Sequence, residues 1–222
     1  MADGYLEKRY DEVFGPGSGR RSVVRRGVPL EALLRRNRSV RAYRQDTVVT
    51  RAQLEQIVAV NTLIPSARNQ QVLRFCLVTR DSGAEKITAH LRLGGALPEL
   101  HLPVPGTAPE AFIIICSTVP ESRYVDMDLG ISVQSMLLKA AEMGLNGIAI
   151  GAFDRAAVQR DFALPSEPLL MVAVGLGDER IELVPVSASD SLKYYRRDGV
   201  HYVPKIRLKD LLIPPADGPN NP

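Results

Sequence analysis

Apolar positions along the chain alternate between helical and strand spacing, and the changes of spacing predict where the elements fall. Leu30, Leu33 and Leu34 recur at helical spacing behind Pro29, so a short helix is expected from 29 to about 36. Thr50 is placed to cap a second helix with Leu54, Ile57, Val58 and Asn61 on one face, and Pro65 stops it. The run 72–78 is rich in β-branched and aromatic residues and predicts a strand. A helix is expected over 84–93, and 94–109, with three Gly and four Pro, predicts a long loop of the kind that often serves as a lid. Residues 111–116 form an unbroken apolar run, as in a strand covered on both faces. The stripe Val133, Met136, Leu137, Ala140 and Ala141 predicts a helix over about 128–143, with acids at its start and Gly144 as its stop. Strands are expected at 145–150 and 169–174, with a short helix capped by Asp154 between them. A polar, proline-bearing stretch then leads to a last apolar patch at 208–213.

The pattern is mixed, without a repeat, and lacks the strand–GxGxxG–helix signature of a dinucleotide fold. It divides into a flexible N-terminal arm (1–28), one domain (29–213) and a disordered tail (214–222). At 222 residues, 45% of them hydrophobic, the chain can bury a sizeable core. No apolar run approaches the roughly 20 residues that cross a bilayer, and the polar N-terminus has no signal-peptide core, so a cytoplasmic location with no membrane partner is expected. The two cysteines, Cys76 and Cys116, sit in apolar runs and are read as buried strand thiols.

A net charge of +3 does not argue for nucleic acid, but arginines crowd the stretch from Arg20 to Arg44. Such a run is a solvated basic face, a nucleic-acid or membrane patch, or the holder of one anionic ligand. Four segments can carry chemistry. Arg38-Ser39-Val40-Arg41 offers two guanidinium forks and a hydroxyl, a set that satisfies a phosphate or simply an exposed turn. Pro65 to Gln71 is rich in side-chain amides, which read a flat heterocycle or stitch a turn. The glycines of 144–153 let backbone approach a ligand or let a helix pack on a strand. Lys205-Ile206-Arg207 is a second cationic cluster, able to complete a phosphate site or to stand in solvent. The three histidines lie in unrelated contexts, with no nucleophile elbow and no HExxH spacing, which argues against a hydrolase or metalloenzyme.

These segments, in this order, resemble the FMN-dependent nitroreductase family over about 29–210. The resemblance is carried by Asn37 to Tyr43, Pro65 to Gln71, Asp128 to Gln134 with Ala140 to Leu145, Ile150 to Phe153, Val172 to Gly175, Lys193 to Arg196 and Val203 to Lys205. It implies an α+β fold, a mostly antiparallel central sheet flanked by helices, in an intertwined homodimer with FMN at the subunit interface. By position, Arg38, Ser39 and Arg41 would hold the FMN phosphate, joined by Lys205 and Arg207, with Gln134 also among the cofactor-binding residues. Asn69 would reach the flavin from the partner subunit with Ser66 nearby, and Ile150 and Gly151 would lie against the ring. The implied activity is NADH- or NADPH-driven reduction of nitroaromatics, quinones or similar small electrophiles in two half-reactions. No protein acid–base pair is required, and Tyr124, His101 and the 94–109 loop are candidate walls for the acceptor. Alternatives on the same fold are specialised flavin chemistry, such as dehalogenation or dehydrogenation, and a non-catalytic flavin sensor or carrier. The chain departs from the family at Val72 and Leu73, where many members have Pro and an aromatic, and at Ile206, where a second base is common.

Overall fold

Four antiparallel strands form the central sheet of the computed structural model, in the order β1-β2-β4-β3: β1 (Leu73–Val78), β2 (Ala111–Ser117), β3 (Asn146–Ile150) and β4 (Pro168–Gly175). The described residues are 27–91, 93–95 and 100–214, together with Arg9 and Val13. The expected arm therefore lies outside the described residues apart from Arg9, Val13, Gly27 and Val28, and the expected tail apart from Pro214.

Strand β2 is buried at every position, as its unbroken apolar run requires. Side chains alternate across a strand, so Ile113 and Ile115 enter one core while Phe112 and Ile114 enter another. The first core is closed by helix α2 (Arg51–Val58) and helix α4 (Arg123–Glu142), through Leu54, Ile57, Val133 and Met136. The second is closed by helix α3 (Ala84–Thr88) and helix α5 (Arg155–Asp161), through Ile87 and Val158. Each fully buried Ile or Met contributes about 1.5–3 kcal/mol, so these two faces account for why the sheet forms. Helix α1 (Leu30–Arg36) contributes no buried residue and serves to deliver residues 37–41.

The helix ends follow their capping chemistry. Thr50 and Gln53 form a reciprocal capping box at the start of α2. Helix α4 begins at Arg123, more than a turn before the expected start near 128, because the Ser122 hydroxyl accepts the Val125 N–H. It stops where expected, at Gly144, whose φ of 78° is the left-handed conformation that ends helices. Helix α3 is shorter than expected, turning out of helix after Thr88.

The polar stretch after β4 is not a loop. It forms a second sheet, β5-β7-β6, from β5 (Arg180–Val186), β6 (Tyr195–Arg197) and β7 (Val200–Ile206), with β5 and β7 parallel. Strands β6 and β7 are joined by Asp198-Gly199, both at positive φ, the two-residue turn that favours this dipeptide. A last turn of helix, α6, covers Leu208–Leu211.

Cys116 is buried and Cys76 half-buried, and burial pushes both thiols above the usual range. Among the described residues no helix is long and apolar enough to cross a membrane.

Candidate functional site

Residues 37–41 leave α1 in an extended path and dock on β3. The Val40 N–H donates to the Gly147 carbonyl at 3.3 Å, and the buried Tyr43 hydroxyl donates to the Val40 carbonyl at 2.9 Å. Glu179, just before β5, accepts the backbone N–H groups of both Arg41 and Ala42 and pairs with Arg196. With backbone and Val40 held on the protein side, Arg38, Ser39 and Arg41 line a cavity of about 320 Å³. Its opposite wall is β7, whose alternate residues His201, Val203 and Lys205 face in, and α4 adds Gln134 and Leu137.

The lining of this cavity is suited to receive an anion. Three cationic side chains line it, and the Nε atoms of Arg38 and Arg41 and the Nδ1 of His201 are buried without a partner. Burial lowers the Arg38 pKa, and a bound phosphate would offset that desolvation through charge-assisted hydrogen bonds. Of the ten residues expected to hold the cofactor, the structure brings together Arg38, Ser39, Arg41, Gln134 and Lys205. Arg207 does not line the cavity: β7 ends at Ile206, and Arg207 is exposed with its N–H given to the Val186 carbonyl. Ile150 is buried at the end of β3 and Gly151 is exposed after it, and neither lines this cavity. The residue of β3 that does is Gly147.

The amide-rich loop stands elsewhere. Ser66 lines a larger groove of about 550 Å³ that runs along β1 and α2 and meets α4 at Asp128 and Ser132. Arg68, Asn69 and Gln71 all hold positive φ (52°, 53° and 46°), an uncommon conformation for these residues. Local bonds hold it: Asp128 accepts the Ala67 N–H at 2.7 Å, Ser66 accepts the Gln71 N–H at 3.2 Å, and the Gln71 amide donates to Asn69 Oδ1 at 3.0 Å. Tyr124 is exposed in the first turn of α4, with the Arg68 guanidinium 5.3 Å from its ring centroid. His101 is exposed at positive φ and lines neither cavity.

The model of the nitroreductase family matches residues 34–176. The chain belongs to the nitroreductase family. Solved structures agree in fold. A Desulfovibrio desulfuricans protein described as a nitroreductase in complex with FMN is 21% identical, covers 86% of this chain and 99% of its own, and has a TM-score of 0.59. An FMN-dependent nitroreductase from Clostridium difficile is 21% identical over 68% of this chain and 89% of its own, with a TM-score of 0.54. A Staphylococcus epidermidis protein described as an NAD(P)H:FMN oxidoreductase is 19% identical over 72% of this chain and 92% of its own, with a TM-score of 0.55. No curated protein matches.

Within this nitroreductase-family chain, the matched span ends before the second sheet, which supplies Lys205, His201 and Glu179's partner Arg196. Glu179, His201 and Asp128 are site residues that reading the sequence missed. His201 was legible from its spacing, since it lies four residues before Lys205 on one face of a strand. Glu179 had no such signal, because the amides it accepts lie 138 and 137 residues away. Asp128 is buried with Oδ2 unpartnered, and it anchors the strained loop from across the groove. Asp128→Ala is expected to cost about 1–3 kcal/mol, the penalty for an orphaned amide, and to speed hydrogen exchange at Ala67 more than at the core strands. Equal protection at Ala67 in both proteins would show that the loop is held by its other bonds.

Proposed function

We propose that this chain is an FMN-dependent oxidoreductase that takes electrons from NADH or NADPH and passes them to nitroaromatics, quinones or similar small electrophiles. The observation that carries the reading is the basic cavity, where the Nε atoms of Arg38 and Arg41 lie buried without a partner beside Ser39 and Lys205. Those residues fit the FMN phosphate: the arginine forks match its oxygens, Lys205 adds a point charge, and Ser39 a neutral donor. Gln134, held near Asn37 at 3.4 Å, offers a further amide at the cavity wall. FMN held there would supply two-electron redox chemistry between a nicotinamide donor and the acceptor. The chain's part is to bind, orient and keep water out, so no catalytic acid–base pair is assigned.

The same reading takes a homodimer. Among the described residues strand β1 pairs only with β2 and leaves its other edge open, and Tyr124, Met127 and Ile131 expose an apolar stripe on α4. An open edge and an exposed stripe both call for a cover. Ser66 and Asn69 stand away from the basic cavity of their own chain, which accords with their serving a partner's flavin. Ile150 and Gly151 are assigned to the ring, Arg207 to the outer phosphate shell, and Tyr124 and His101 to the acceptor side. A cytoplasmic location belongs to the same proposal.

The deciding experiment is the visible spectrum of the purified protein, recorded anaerobically before and after adding NADH or NADPH. Flavin bands that bleach are the expected result. Bands that persist would replace the enzyme by a flavin carrier or sensor, and a colourless protein that takes up no FMN would overturn the proposal. Arg38→Ala is expected to weaken FMN binding roughly 10- to 100-fold, the value of a charged hydrogen bond, while riboflavin binding stays level. Unchanged FMN affinity would remove Arg38 from the phosphate site.

A further inference from the structure

The basic cavity holds one polar side chain to which the family resemblance gives no role. His201 is only 3% exposed, lines the cavity beside Arg41 and Lys205, and buries an Nδ1 that has no partner. A buried polar atom without a partner is costly, and most such atoms in folded proteins are satisfied. The imidazole is also fixed in place. Its ring packs against that of Tyr194 with centroids 5.1 Å apart, and Tyr194 in turn receives the Arg41 guanidinium 5.0 Å from its centroid. It sits on β7 opposite Ile181 of β5 and Arg196 of β6, in the middle of the second sheet.

We infer that His201 is a phosphate ligand of this cavity, its Nδ1–H donating to a terminal oxygen of a bound phosphomonoester. The inference rests on reading the cavity as the FMN phosphate site, and it adds a neutral donor to the cations already assigned there. Position on the strand supports it: His201, Val203 and Lys205 face the cavity in alternation, whereas Arg207 falls past the strand's end. A donor expected at the far end of the strand is thus supplied by the near end. The charged groups around the ring are Arg41, Arg196 and Glu179. Burial first, then Arg41 and Arg196, hold the imidazole below its ordinary pKa, with Glu179 opposing. Before a ligand binds, the ring is therefore neutral, with one N–H to give. An arriving phosphate reverses the local charge, so occupancy raises the His201 pKa.

The test compares FMN with riboflavin, which lacks the phosphate, in wild type, His201→Asn and His201→Phe. In His201→Phe, FMN affinity is expected to fall roughly 10- to 100-fold while riboflavin affinity holds. His201→Asn, whose amide can donate from a similar place, should recover most of the loss. An FMN-to-riboflavin affinity ratio that His201→Phe leaves unchanged would overturn the assignment of His201 while the Arg38 site stands. Equal weakening of both ligands would do the same, reducing His201 to a packing role. A wild type that binds FMN no tighter than riboflavin would remove the phosphate site itself, and with it the proposed function. Should His201→Phe fail to fold, nitrogen NMR of histidine-labelled wild type decides, with the His201 signals identified by their loss in His201→Asn. FMN, but not riboflavin, is expected to raise the His201 titration midpoint; equal midpoints with both would overturn the inference.

Discussion

Replacing Glu179 with Ala is expected to cost about 3 kcal/mol of stability and to empty the basic cavity of its ligand. The Glu179 side chain is 4% exposed, and it accepts from the amides of Arg41 and Ala42 and from the Arg196 guanidinium. Breaking a buried pair costs about 3–5 kcal/mol, because the surviving partners are left desolvated and unpaired. Arg196 is 32% exposed and recovers some hydration, so the lower end applies. In a chain of this size that is a fall in melting temperature of roughly 10 °C. The loss is not only thermodynamic. Glu179 is what turns the 38–41 backbone so that both arginines face the same space, and it ties that segment to the second sheet that carries Lys205. Glu179→Gln keeps an acceptor for one amide and should retain more of both properties. Thermal unfolding and FMN retention measure the two effects; a melting temperature within about 2 °C of wild type would show that the 38–41 segment is held by Gly147 and Tyr43 alone.

Gly147→Ala is expected to follow closely. A Cβ at Gly147 would stand 2.7 Å from the Ala173 carbonyl oxygen and 2.7 Å from Leu137 Cδ2. Leu137 can rotate, but Ala173 is a rung of the β3–β4 ladder and cannot move without breaking it. Overpacking of this kind costs about 1–3 kcal/mol, and the rigid carbonyl places this site at the upper end. The displaced backbone is also the one that accepts the Val40 N–H, so the strain passes into the arginine segment. Gly144→Ala is the control, since its Cβ meets nothing within 4 Å and only its φ of 78° is disfavoured. That change should cost about 1 kcal/mol and leave ligand retention intact. Denaturant midpoints and FMN affinity for the two variants give the comparison, and equal losses from both would refute the steric account.

Much of the fold was readable because its signals are local. The unbroken apolar run of β2, the Thr50 cap and the Gly144 stop each act within a few residues, and each appears where expected. The second sheet escaped for a physical reason. Strand β6 is exposed throughout and β5 has no buried residue, and Pro185 and Pro204 interrupt the apolar alternation that marks a strand. The Asp198-Gly199 turn was the one strong hint. At the site, charge singled out Arg38, Ser39, Arg41 and Lys205, the family resemblance assigned them to a phosphate, and one cavity is lined by all four. Glu179 and Asp128 were not, because a carboxylate that organises a distant backbone looks like any surface acid until the chain is folded.

Helix α4 is a wall of both cavities: Asp128 and Ser132 face the groove that holds the strained loop, while Gln134 and Leu137 face the basic cavity. From Ser132 to Gln134 the helix turns about 200°. A single inserted residue between them would rotate every later side chain by roughly 100° and swing Gln134 and Leu137 away from the arginines, leaving Asp128 where it was. Exposed side chains of α4 can therefore be exchanged more cheaply than its length can change, and variation in size is left to the connections outside it.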